Sequence, residues 1–234
     1  NEPRLYEFKF SLQPFRAEVV GVRYLKKKNQ KKWAKNVLDG EGITLLPWAN
    51  YLVSSEGDNN QKPRVMPTLF DTKVDGTVVR DFALPDEILP EPAGHQSKGI
   101  PNNMGPEGLT SSEDRKFIWA AIEGVLLQDR PATPDQIRIV QYEMPEAWVI
   151  KPTKQFFYPM ESGGEGDLVS IRGVSEIFWV YDQVLWVMER GLEINLSGLN
   201  HVVQLFEVDL ADEVKPLKKR PLINLSQLQK KIQN

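Results

Sequence analysis

Residues 4 to 13 read RLYEFKFSLQ, with Tyr6, Phe8, Phe10 and Leu12 at every second place and Glu7, Lys9 and Ser11 between them. Successive side chains of a strand point to opposite faces, so a period of two commits this stretch to a half-buried strand. The next apolar run, AEVVGVRY, continues as a second strand, and the short polar QPFR between them suits a hairpin.

The same signals recur along the chain. ITLLPWANYLV is apolar with a proline inside, which suits an edge or irregular strand. Asp75-Gly76 sits between two β-rich runs, as a tight hairpin turn requires. QIRIVQYEM and AWVIKPTKQFFY read as strands, LVSIR as a short one after the Gly-rich turn SGGEGD, and LEINLS with HVVQLFEVDL as a terminal hairpin. Three stretches instead show helical spacing. Asn29 can cap a short helix over 30–39 that Gly40 ends. Thr110 and Glu113 stand at capping-box spacing before a helix over 111–128, whose stripe is Phe117, Ile118, Ala121, Ile122, Val125 and Leu126. Val174, Ile177, Phe178, Tyr181, Val184, Leu185 and Met188 predict a third helix, over 174–191. Residues 85–112 are rich in Pro and Gly and read as a long loop or linker, and no internal repeat is evident. The expectation is an α+β fold, mainly antiparallel sheet with two or three separated helices and that long loop. Residues 1–212 would form one domain, allowing a subdivision near 85–112, and 213–234 a basic C-terminal arm ending in a short helical face of Leu225, Leu228 and Ile232.

Cysteine is absent, which excludes disulfides, thiolate nucleophiles and sulfur-ligated zinc and makes a cytoplasmic home the expectation. The two histidines, His95 and His201, are far apart, so neither a metal site nor a cofactor is expected. No apolar run is long enough to cross a membrane, and NEPRLYEFKF lacks the basic-then-apolar order of a signal peptide. The net charge of −3 conceals a segregation: residues 19–38 carry +7, residues 214–234 carry +6, and the remainder −16.

Clustered cations beside aromatic rings are the chemistry of polyanion binding, through counterion release and base stacking. The expected nucleic-acid-binding set is therefore Arg23, Tyr24, Lys26, Lys27, Lys28, Lys31, Lys32, Trp33 and Lys35 in the first segment, with Lys215, Lys218, Lys219 and Arg220 in the arm. Lys151 and Lys154, ahead of Phe156, Phe157 and Tyr158, make a weaker third element. No catalytic residue is assigned. GHQSKG misses the spacing of a serine elbow by one residue, and SGGEGD is too acidic to cradle phosphate. These features point to a non-catalytic subunit that binds RNA or single-stranded DNA in a multi-subunit ribonucleoprotein, with other protein subunits as partners and no membrane; a CRISPR-type effector would suit this division of labour. The alternatives are a structural subunit of a phage-like particle and a divalent-metal nuclease centred on Asp71 and Lys73.

Overall fold

The N-terminal alternation forms strands, β1 (Arg4–Leu12) pairing antiparallel with β2 (Phe15–Tyr24), Phe8 opposite Val19 and Phe10 opposite Ala17, but they are not half-buried as expected: no described sheet covers the apolar face, and Tyr6, Phe8, Phe10 and Leu12 are exposed. The molecule is a computed structural model that describes residues 2–33, 37–130, 134–163, 168–196, 198–212 and 214–226. Three four-stranded antiparallel meanders follow the hairpin. The first is β3 (Gly40–Leu45), β4 (Tyr51–Ser55), β5 (Thr68–Thr72) and β6 (Val78–Ala83), with Gly76 in the left-handed region at the β5–β6 turn (φ 87°). The second is β7 (Pro106–Ser111), β8 (Phe117–Ile122), β9 (Gln136–Glu143) and β10 (Lys151–Pro159). The third is β11 (Val169–Tyr181), β12 (Val184–Asn195), β13 (Gly198–Asp209) and β14 (Lys219–Asn224).

In each sheet the first strand is innermost. β3 lies against β7 and β7 against β11, so three inner strands meet while the later strands fan outward. Apolar faces fill the wedges between sheets. Leu46, Leu52 and Leu69 pack with Ile118, Val140 and Tyr142 between the first and second. Trp119, Ile137 and Tyr158 pack with Ile177, Leu185, Val187 and Val208 between the second and third. Blades of antiparallel sheet stacked around their first strands make a β-propeller-like fold.

The α+β expectation is therefore wrong: no described helix reaches seven residues, and over half the chain is strand. The stretch expected as helix over 111–128 contains the β7–β8 turn and β8; the one over 174–191 is the β11–β12 hairpin, turning at Asp182 (φ 44°). For β8 the cause is burial on both faces. FIWAAI is buried from Ile118 to Ile122, so its strand shows no polar alternation and its apolar run falls into helical spacing by accident. Over 30–39, Gln30 adopts φ 63° and Lys26 bridges Lys32, which breaks helical geometry; residues 34–36 lie outside the described residues. So do most of SGGEGD and the tail beyond Ser226, including Leu228 and Ile232. The long Pro/Gly stretch ends sooner than expected, since β7 starts at Pro106. A repeat does exist, as three like sheets. Among the described residues no helix is long and apolar enough to cross a membrane.

Candidate functional site

Where the inner strands converge, four carboxylates meet. Glu41 stands in β3, Glu56 just past β4, Glu107 in β7 and Glu123 just past β8. Hairpin geometry explains the pairs, because β3 and β4 form one hairpin and β7 and β8 the other, so the ends remote from each turn lie side by side. A glycine follows every one of these glutamates. At Gly42 a Cβ would sit 2.2 Å from the Glu107 carbonyl oxygen, and at Gly108 a Cβ would sit 2.7 Å from the Ile177 nitrogen. Glycine is what lets β3 approach β7, and β7 approach β11, closely enough to bring the acids together.

Glu56, Glu107 and Glu123 each offer an oxygen within 4.8 Å of the others, and Asp39, Glu41 and Glu56 form an overlapping set of the same kind. Either triad has the hard oxygen donors and spacing to hold a divalent cation. The third sheet supplies Arg190 from β12, 2.8 Å from the Glu107 Oε1 and 3.7 Å from the Glu123 Oε1. Backbone bonds brace the group: the Gly105 N–H donates to Glu56 at 2.9 Å, the Glu123 N–H to the Gly105 carbonyl at 2.7 Å, and the Val174 N–H to the Glu123 carbonyl at 3.1 Å.

Crowded acids resist ionisation. Burial pushes the Glu56 carboxyl up to about 8, opposed by the Gly105 bond and helped by the charges of Glu123, Glu41 and Glu107. Burial, then the charge of Glu107, raises Glu123 to about 7. Glu107 is raised by burial, with Arg190 pulling it back, and Glu41 is raised by burial and by Asp39. The cluster thus holds exchangeable protons near neutrality beside a guanidinium that can receive an oxyanion. Cavities open on both flanks: one of about 660 Å³ touching Asp39 and Glu41, and one of about 350 Å³ touching Glu123 and Arg190.

The expected cationic residues lie elsewhere. Arg23 pairs with Glu7 at 2.7 Å, Lys32 with Glu2 at 3.2 Å, and Tyr24 lies under the Lys32 ammonium. Lys26 bridges Thr77 of the first sheet, Lys27 covers Trp33, and Trp33 packs on Phe70 with centroids 5.8 Å apart. Lys28 and Lys31 are exposed in the same loop, and Lys35 is outside the described residues. In the second group, Lys151 and Lys154 stand exposed on β10, and the Lys215 ammonium sits 3.6 Å from the Phe157 centroid. Lys218 is exposed, Lys219 is half-buried against Glu189, and Arg220 pairs with Glu207 at 2.6 Å. The first group gathers around the hairpin and the first sheet, the second on the outer strands of the second and third. Asp71 is fully buried, accepting from Trp48 Nε1 at 3.1 Å and Asn50 Nδ2 at 2.5 Å and paired with Arg80.

Sequence reasoning missed Glu41, Glu56, Glu107, Glu123 and Arg190. The signal was the Glu-Gly dipeptide at 41–42, 56–57, 107–108 and 123–124, in two pairs 15 and 16 residues apart, the reach of one hairpin.

A family model described as "Phytase-like: Esterase-like activity of phytase" matches residues 1–234. Among solved structures, the periplasmic gluconolactonase PpgL of Pseudomonas aeruginosa is similar at 12% identity with a TM-score of 0.34, over 93% of this chain and 64% of that one, so the chain spans less than two thirds of its length. No curated protein matches. The family match overturns the expectation of a nucleic-acid-binding ribonucleoprotein subunit, together with its RNA or single-stranded DNA partner and the particle-subunit and nuclease alternatives.

Proposed function

This chain belongs to the phytase-like family, and we propose on that premise that the carboxylate cluster with Arg190 is the active site of an ester hydrolase. The observation that carries the reading is the convergence of Glu56, Glu107 and Glu123 within 4.8 Å, next to Arg190 and between two cavities. Arg190 donates to Glu107 at 2.8 Å and turns its remaining donors toward the oxygen on which negative charge develops. Glu123, half-buried and raised to about 7, is poised for proton transfer at working pH. Water attacks the ester centre while Glu123 takes its proton. The bond to the leaving oxygen breaks, and the same proton passes to that oxygen, giving an acid and an alcohol.

The oxygen triads favour a second reading of the same site, in which Glu56, Glu107 and Glu123 hold a hard divalent cation. Such an ion supplies Lewis-acid polarisation and acidifies bound water. Hydrolysis of p-nitrophenyl acetate in EDTA, then with calcium or magnesium restored, separates the two. Activity that survives EDTA supports proton transfer by Glu123 alone, and activity that returns only with the ion supports the second. Under either, Glu123→Gln lowers kcat by about 10²–10⁴ with the fold kept. A Glu123→Gln enzyme as active as the parent removes the site from consideration.

A further inference from the structure

The cavity of about 350 Å³ beside Glu123 and Arg190 falls within the ~300–1,000 Å³ of small-molecule pockets. Its walls differ in kind from the cluster. β11, β12 and β13 run 12 or 13 residues, while β7 and β8 run six. Val174 bonds the Glu123 carbonyl, so residues 169–173 of β11 and their partners in β12 extend past the end of β8. On this overhang Ile171 lies opposite Leu192 and Leu192 opposite His201, while Gly173 and Val203 flank Arg190. Directly opposed residues of antiparallel strands share a face, so an apolar wall leads up to the guanidinium. Met104 and His201 complete the lining.

Charge points the same way. Both arginines lining the cavity are engaged: Arg172 by Glu193 and Gln204, Arg190 by Glu107. A polyphosphate would find one guanidinium with donors to spare, that of Arg190, and would face Glu41, Glu56, Glu107 and Glu123 at close range.

We propose that this cavity receives the apolar part of the substrate, so that the ester cleaved at Glu123 and Arg190 carries an alkyl or aryl group and at most one negative charge, not a polyphosphorylated polyol. The inference rests on the hydrolase reading above and narrows its substrate. The test is kcat/KM for p-nitrophenyl acetate, butyrate and hexanoate, alongside phosphate release from phytate (inositol hexakisphosphate). Burial of each methylene is expected to raise kcat/KM roughly fourfold, hence about fifteenfold from acetate to butyrate. Leu192→Asp and Ile171→Asp, each on the overhang, are expected to collapse the hexanoate-to-acetate ratio toward one. Phytate is expected to release no phosphate. Turnover of acetate with a flat chain-length series, or phytate cleaved faster than hexanoate, overturns this inference and leaves the hydrolase reading standing. Failure to cleave any of the four substrates overturns both.

Discussion

Glu189 shows how a residue's role depends on partners remote in sequence. Its side chain is fully buried in β12, accepts from the Tyr158 hydroxyl at 2.6 Å and from the Glu161 N–H at 3.1 Å, and meets the Lys219 ammonium at 2.5 Å. Lys219, 10% exposed, also reaches Glu161 at 3.0 Å and lies over the rings of Tyr158 and Phe206. Removing one partner of a buried pair strands the other charge, at a cost of about 3–5 kcal/mol. Lys219→Met is therefore expected to lower the urea midpoint sharply, and adding Glu189→Met to it should cost less than the two single changes together. Strict additivity would rule out a coupled pair. From sequence, Lys219 belonged to a basic cluster between two prolines, and nothing local told it apart from Lys218, which is exposed. Charge was legible as composition; the acids that absorb it are 13 to 58 residues away.

At the scale of elements, strands whose sequence alternates or is bracketed by turn residues were legible, and those whose apolar residues run on without a break were not. β1, β2, β5, β6, β9 and β10 follow the alternation and turn residues that announce them. β8 is buried on both faces, and the β11–β12 hairpin carries apolar residues on both although Phe178, Tyr181 and Trp186 are exposed, so in each the period of two is lost. The inner strands also depend on what is missing from them. Gly42→Ala drives a Cβ to 2.2 Å from a backbone oxygen of β7, which no side-chain rotation relieves. We expect a loss of about 1–3 kcal/mol from overpacking, with esterase activity falling as Glu107 is displaced. Gly40→Ala, two residues earlier, meets its nearest neighbours only at 3.5 Å and is expected to change the midpoint little. Equal effects of the two substitutions would show that close approach at Gly42 is not what sets the inner-strand spacing.

For the molecule as a whole, the candidate site is a product of assembly. No segment holds it; two hairpins deliver two acids each and the third sheet delivers the arginine, so only the recurring Glu-Gly pairs foreshadowed it. That assembly has a thermodynamic signature. Unfolded, Glu56 and Glu123 titrate near 4.5; folded, they titrate near 8 and 7. Between those values the folded chain binds more protons than the unfolded one, so stability falls as pH rises. The contribution is whole below about 4.5 and is lost as pH climbs through 7 and 8. Carboxyls held low by hydrogen bonds act in another window: Asp75, bonded by Thr77, and Asp114, bonded by Ser112, contribute above their usual 3.8 and lose that contribution as pH falls below it. In EDTA the urea midpoint should therefore peak near pH 5 and decline toward pH 8, and Glu56→Gln, which cannot ionise, should flatten much of the decline. A midpoint that rises from pH 5 to pH 8, or a Glu56→Gln protein with the parent's slope, would mean that the four acids do not repel one another in the folded chain. A divalent cation at pH 8 should act in the opposite sense, since an ion bound only by the folded state raises the midpoint in proportion to the logarithm of its concentration above Kd. Repulsion at high pH and its relief by a cation are two readings of one arrangement, and both vanish if the inner strands do not bring Glu56, Glu107 and Glu123 together.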